Sequence, residues 1–384
     1  MVRRLPAINL RVLAVVLVVA LPVLVVGTAI VISIGQARLH QTQSVRLGQV
    51  AEYTAAAVDT YVFRRILDAA ILARVPEIRR AAAEGNTRPF DEAGTMEIDR
   101  QWAADSKTAG ARSGLLASPA SVFLIDVVRH DPIYREILVT DLSGRLVAAS
   151  NITTDYFQGD EPWWVQSFDN GRGRVTVSDV RRDESAGVYA FEVAVPVPGL
   201  PPASEELAGI VKIVADSREM LAGIAGLELG MTGQATLIRP DGSIVFSRMP
   251  DSEGKRFFAA ELLRQRLEQA AELKEPAGTI ILTAQAPDET RRLVAFAPTQ
   301  LSRNYSELQW MVALTADREE VLAPFRSMVW YMGLAFGLTA IAVLCIALWL
   351  SLRLAAPPID PDADLHLVEH APVERIGDST EGRS

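Results

Sequence analysis

The sequence predicts an α+β protein: a long N-terminal helix, then two antiparallel sheets in tandem, flanked by two transmembrane helices. Three observations predict this. Two uncharged apolar runs of 23 residues, Val12 to Ile34 and Met328 to Leu350, bracket the chain. A helical apolar stripe follows the first run. Two sets of short β-patterned segments follow the stripe, and the end of the second set echoes the end of the first.

Each apolar run spans roughly 35 Å as a helix, enough to cross a bilayer. Arg3, Arg4 and Arg11 precede the first run and Arg353 follows the second, while Arg38 and Arg46 lie just past the first. The basic bias places both ends in the cytoplasm. The expected division is a cytoplasmic N-terminus at 1–11, a first span at 12–34, an extracytoplasmic region at 36–327, a second span at 328–352 and a disordered acidic cytoplasmic tail at 353–384. The first run is longer than the apolar core of a signal peptide, so it reads as an uncleaved anchor. The formal net charge of −9 excludes a nucleic-acid partner, which needs a concentrated basic face. Cys345, within the second span, is the single cysteine, so no intrachain disulfide supports the outer region. A bacterial inner membrane suits a cysteine-free exported domain.

From 36 to 85 the pattern is that of a stalk helix. Val58, Val62 and Ile66 recur at four-residue spacing, with Leu47, Ala51 and Ala73 near the same stripe. Ile66 to Leu72 is apolar nearly all round, which predicts burial on several sides. Pro76 kinks or restarts the helix. A helix of this kind leaving a membrane span is a candidate homodimer seam. Asp91 to Ala104 reads as a helix, 105–118 as a loop, and Ser118 to Val128 as a buried helix or strand.

The β segments begin at Ile137–Thr140 and Arg145–Ala149, around the turn sequence Asp141-Leu-Ser-Gly144. Pro162 to Phe168 is a short helix with proline in its first turn. Val175–Val177, Val188–Val195 and Ala208–Val214 complete a five-stranded sheet. The second set is Ala235–Ile238, Ser243–Ser247, a helix from Phe257 to Leu273, then Thr279–Thr283, Arg292–Ala297 and Leu308–Leu314. Pro196 and Gly209 through Leu221 are echoed by Pro298 and Gln309 through Leu322, which marks an internal duplication. Within the echo, Asp216 and Asp317 read as helix N-caps, with Glu219 and Glu320 completing capping boxes.

Three local pieces carry a family resemblance: Val139-Thr-Asp-Leu-Ser-Gly-Arg-Leu-Val-Ala-Ala-Ser-Asn151, Glu161-Pro-Trp-Trp-Val-Gln166, and Val195-Pro-Val197 after Ser185-Ala-Gly187. In this order, between two spans, residues 36–327 resemble the double Cache family, tandem PAS-like extracytoplasmic sensor domains of bacterial chemoreceptors, sensor kinases and cyclic-dinucleotide enzymes. The resemblance implies a membrane-distal module at 86–220, which holds the ligand, and a membrane-proximal module at 221–320. It places a ligand between the distal sheet and its cover, Thr153 to Phe168.

The resemblance implies a site of Tyr156, Glu161, Trp163, Trp164, Arg181 and Asp183. Tyr156, Trp163 and Asp183 match the pattern of amino-acid-binding members. Glu161 stands where an arginine for the ligand carboxylate is expected, Trp164 and Arg181 stand for tyrosines, and Val214 stands for the aspartate that holds an amine. On the residues themselves, aromatic walls with a carboxylate suit a neutral, cationic or amine-bearing ligand. The competing reading is that Trp163 or Trp164 packs the helix onto the sheet while Glu161 caps it. No metal or cofactor is expected: His366 and His370, with Glu369 between them, sit in a tail with no apolar periodicity.

The resemblance thus implies a non-enzymatic, membrane-anchored sensor of a small molecule. No output domain is legible after Leu354, so a separate signalling partner is expected. The alternative is an envelope interaction or scaffold protein. An envelope enzyme would need paired carboxylates in a cleft or an activated nucleophile, and the sequence presents neither pattern.

Overall fold

The computed structural model describes residues 10–102, 109–183, 188–203, 205–227, 232–249, 252–274, 278–305 and 308–353. The tail expected at 353–384 lies outside the described residues beyond Arg353, as does Ser185-Ala-Gly187. The chain divides into two units, Arg38–Ala323 and a second formed by its two ends. In the second unit, Val329–Arg353 is long and apolar enough to cross a membrane. At the other end Val25–Gly35 is a shorter apolar helix, so among the described residues only one of the two expected spans meets that test.

The central unit is built on α1 (Leu10–Leu72). Leu47, Ala51, Ala55, Val58, Val62, Ala69, Leu72 and Ala73 form its buried face, and the alanines let the sheets approach closely. The burial expected all round Ile66–Leu72 is not found. Leu67 and Ile71 are 59% and 58% exposed, because only one side of the helix meets the sheets. At Pro76 the chain restarts as α2 (Pro76–Asn86), with the proline in the first turn where its missing N–H is harmless.

Next come α3 (Glu92–Trp102), α4 (Ala109–Leu116) and α5 (Pro119–His130). Helix α4 corrects the loop expected over 105–118. Its alanines and leucines are good helix formers, and Leu115 packs against the core beneath Trp102, which offsets Gly110 and Gly114. Helix, not strand, is the outcome for α5: Ser118 Oγ accepts the Ser121 N–H at 3.2 Å, and Pro119 opens the first turn.

The distal sheet contains β1 (Tyr134–Asp141), β2 (Leu146–Ala149), β3 (Thr176–Val177), β4 (Arg181–Asp183), β5 (Val188–Pro198) and β6 (Leu207–Asp216). Its order is β2-β1-β6-β5-β3, with β4 also paired to β5. Strand β4 was not anticipated; three charged residues carry no apolar alternation to read. Helix α6 (Pro162–Phe168) lies between β2 and β3 in sequence, and α7 (Arg218–Ala225) follows β6. The proximal sheet repeats the plan with β7 (Gln234–Ile238), β8 (Ile244–Ser247), α8 (Ala260–Glu272), β9 (Ile280–Gln285), β10 (Arg291–Pro298) and β11 (Met311–Asp317), in the order β8-β7-β11-β10-β9. The duplication read from the sequence is therefore a duplication of topology. Helix α9 (Arg318–Arg353) runs on from β11 without a break at Pro324.

Strand alternation sorts side chains between layers. Ile137, Val139, Val193, Val195, Val211 and Ile213 join the α1 core together with Leu237, Leu293, Ala295 and Leu314 of the second sheet. On the other faces, Leu138, Ala194 and Ile210 meet Trp102, Trp163 and Trp164, while Val294, Phe296 and Met311 meet Phe257 and Leu263.

The capping boxes are corrected. Ser217, not Asp216, is the N-cap of α7, with no side-chain cap bond. Asp216, one residue earlier, accepts the Arg218 N–H at 2.8 Å and also pairs with the Arg135 and Arg218 side chains. Asp317 does accept the Glu319 N–H at 2.8 Å. Its box is closed through Thr232, whose Oγ1 accepts the Asp317 N–H and donates to Glu320.

One turn frames the distal module. Asp141 is 1% exposed and its Oδ2 takes the Arg145 Nε–H at 2.8 Å. Three of its four other guanidinium N–H groups donate to the carbonyls of Gly85, Arg88 and Pro89 at 3.1–3.2 Å, at and just past the end of α2. Gly144 has φ +84°, and a Cβ there would strike the Gly159 backbone. The turn thereby holds the loop that leads into α6. Arg145→Met leaves a buried carboxylate unpaired and is expected to cost about 3–5 kcal/mol in chemical unfolding. The double variant Asp141→Asn/Arg145→Met should cost less than the sum of the two single changes; strict additivity would count against the pairing.

Candidate functional site

A cleft of about 850 Å³ lies on the distal sheet face turned away from α1. Its cover is the segment Thr153–Phe168, and its floor comes from β1, β5 and β6. Of the residues expected at the site, Glu161, Trp163 and Arg181 line this cleft.

Trp163 and Trp164 are successive on a helix and so diverge by roughly 100°. Trp164 turns into the structure: its Nε1–H donates to Thr140 Oγ1 at 2.9 Å and its ring stacks on Phe168 at 4.6 Å. Tyr156 also stays off the lining, with its ring 5.3 Å from Trp102. The N–H groups of Tyr156 and Phe157 both donate to Asp99 Oδ1 at 2.8 Å, which ties the cover to α3. Burial raises the Tyr156 phenol above its ordinary value. Arg181 sits exposed on the rim, from β4. Asp183 ends β4, and its side chain lies outside the described residues.

Glu161 is the N-cap residue of α6, yet its side chain makes no cap bond. Burial raises its pKa, and the carboxylates of Asp160, Asp155 and Glu192 add to the rise against the opposing pull of Lys212.

The sheet floor holds the residues that sequence reasoning missed. Val214 occupies the position where the resemblance led one to expect an aspartate. Its cross-strand partners are Glu136 on β1 and Glu192 on β5, and all three line the cleft. Acidity lost at one strand is therefore present on both neighbours. Lys212, one step away on the same face of β6, is 7% exposed. Its Nζ lies 3.3 Å from Glu192 Oε1 and 4.7 Å from the centre of the Trp163 ring. Arg135 lines the cleft too, but its guanidinium is engaged by Asp216. The inner cleft therefore presents the carboxylates Glu136, Glu161 and Glu192 around one buried ammonium.

No protein-family model matches the sequence, and no curated protein sequence matches it. In fold, the chain is similar to the ligand-binding domain of the Pseudomonas aeruginosa amino-acid chemoreceptor PctC in complex with GABA, at 16% identity, covering 71% of this chain and 100% of that one, with a TM-score of 0.45. It is similar to the sensory domain of the Campylobacter jejuni chemoreceptor Tlp3, at 9% identity, covering 74% and 97%, with a TM-score of 0.46. The extracellular domain of the putative histidine kinase rpHK1S-Z16 is a third, at 15% identity, covering 76% and 98%, with a TM-score of 0.41. These are sensory domains of the kind the double Cache resemblance names, and the likeness is one of fold.

The raised pKa of Glu161 fixes the sign of a pH effect. Its stabilising share is fully present below the ordinary value of 4.5 and is lost as pH rises through the higher folded-state value. Glu161→Gln has no such loss. Its melting temperature should match wild type near pH 4 and exceed it by a growing margin towards pH 7. A margin that does not change with pH would contradict the assignment.

Proposed function

We propose that the protein is a membrane-anchored extracytoplasmic sensor of a small molecule, held in a bacterial inner membrane by spans at 12–34 and 328–352 with both termini cytoplasmic. The ligand is amine-bearing or cationic, and α1 and α9 relay its binding to a separate signalling partner. The observation that carries this reading is the distal cleft. Its volume falls in the range of small-molecule sites. Carboxylates reach it from three elements, the α6 cap and strands β1 and β5, and Glu161 has no hydrogen bond to cap its own helix. In the proximal module, Phe257, Leu263 and Phe296 pack on the corresponding sheet face, beside a smaller cavity of about 470 Å³.

The exposed column Tyr53, Phe63, Leu67 and Ile71 on α1 supports a homodimer seam along the stalk. Apolar residues at this spacing on the outer side of a long helix form the stripe that a second helix covers.

Two measurements test the proposal on the full chain in lipid nanodiscs. An amine-bearing ligand at a hundred times its Kd should stabilise the protein by about 2.7 kcal/mol in a thermal-shift screen. Glu161→Gln should lower that affinity by about tenfold, the loss of one charge-assisted contact. Tight binding of simple carboxylates, indifferent to Glu161→Gln, would refute the ligand class. For the seam, a cysteine at Leu67 in a Cys345→Ser background should give a disulfide-linked dimer in membranes. A cysteine at Val122, exposed on α5, should not. Equal cross-linking at both positions would remove the case for the seam.

A further inference from the structure

The aromatic face that suits an amine is already taken by the chain itself. Lys212 Nζ stands 4.7 Å from the centre of the Trp163 ring, which is the cation–π position. Glu192 takes one of its N–H donors at 3.3 Å. The Lys212 side chain is only 9% exposed and belongs to the cleft lining. An ammonium has three donors, so donor capacity is left over after Glu192. Trp163 is itself 9% exposed, and its Nε1–H is buried with no hydrogen-bond partner. A buried donor left unmade is costly, and a ligand that satisfies it recovers that cost.

We propose that the ligand carries a neutral oxygen acceptor beside its amine, an amide, ester or hydroxyl, which Lys212 and the Trp163 indole N–H bind, and that the cleft rejects the corresponding carboxylate. This rests on the reading of the cleft as an amine site. The charge balance decides between the two acceptors. Glu192 already pairs with the Lys212 charge. A carboxylate close enough to reach Lys212 would also meet Glu192, and across the cleft it would meet Glu161. Like charges in a partly dehydrated site repel strongly, whereas a carbonyl oxygen gains the same hydrogen bonds without that repulsion. The other cations do not alter this. Arg135 is engaged by Asp216, and Arg181 and Arg182 stand exposed on the rim, where water and salt screen them.

Lys212 is thus a specificity-determining residue. It blocks the ring from a ligand ammonium and offers N–H donors in its place.

Calorimetry on the full chain in nanodiscs tests this with matched compounds on alanine, leucine and phenylalanine skeletons: the primary amide of the amino acid, the amino acid itself, and the amine that lacks the carboxyl group. On at least one skeleton the amide should bind about tenfold or more tighter than both of the others, the worth of one well-made buried hydrogen bond. Trp163→Phe keeps the ring and removes the N–H. It should weaken the amide several-fold and leave the amine unchanged. Lys212→Met should bring amide and amine to within about twofold of each other, because it removes the donor and frees the ring face. Lys212→Met/Glu192→Gln serves the same purpose without leaving a carboxylate unpaired. An amino acid that binds as tightly as its amide would overturn the neutral acceptor. An amine that equals its amide in the wild type would overturn the acceptor subsite while leaving the amine site standing. No binding by any of the compounds would overturn both.

Discussion

Both sheets back onto one helix face, and this constraint organises the central unit. Ala51, Ala55, Ala69 and Ala73 keep α1 close enough for the inner residues of two separate sheets to share one core. Polar contacts fix its register at two points. Asp59, 6% exposed, accepts the N–H groups of Gln300 and Leu301 at 2.8 and 3.1 Å in the proximal module. Two residues along the helix, the Tyr61 hydroxyl donates to the Asp216 carbonyl at the end of β6. Cavity formation, helix tilt and sheet spacing in one module are therefore not independent of the other.

With one face of each sheet committed to α1, the opposite faces are where the two copies of the fold diverge. The proximal face carries large apolar side chains under a 13-residue helix. The distal cover is a 7-residue helix whose two tryptophans do different work. Trp164 fastens the helix to Thr140, and Trp163 is left to wall the cleft. A short cover leaves Glu136 and Glu192 only half-buried on the floor, on either side of the buried Lys212 strand. Burying an unpaired charge there would be prohibitive, so the charges occur with partners or within reach of an opening. The same topology gives an apolar face with a smaller cavity in one place and a charged cleft in the other, according to what covers it.

The legible part of this was the part set by local pattern. The period of the strands, the proline that opens α6 and the echo between Pro196–Leu221 and Pro298–Leu322 all act within a few residues, and each found its element. Glu161 and Trp163 were expected at the cleft from the resemblance, and the start of α6 does put both on its lining. Lys212 and Glu192 were not. Each is a lone charge in an apolar strand, and they meet only because β5 and β6 pair with Ala194 opposite Lys212 and Val214 opposite Glu192. Cross-strand register cannot be read from either segment alone. Asp216 does more than the sequence showed for a related reason: besides the Arg218 N–H at the start of α7, its carboxylate holds Arg135, 81 residues away in sequence.

The cleft wall also reaches beyond its own module. Asp179 lines the cleft between β3 and β4, and its carboxylate takes the Trp310 Nε1–H at 2.8 Å and the Arg239 Nε–H at 2.9 Å, both from the proximal module. Trp310 in turn lines a second cavity of about 470 Å³, between α8 and the proximal sheet. A molecule that pushed on the β3–β4 wall would have to move this carboxylate with its two partners or leave the buried Trp310 N–H unmet. Either course has a free-energy consequence in the second module, because hydrogen bonds to a charged, sheltered acceptor are among the stronger ones in a protein. Binding can bias such a contact only by the difference in its affinity for the two arrangements of the wall.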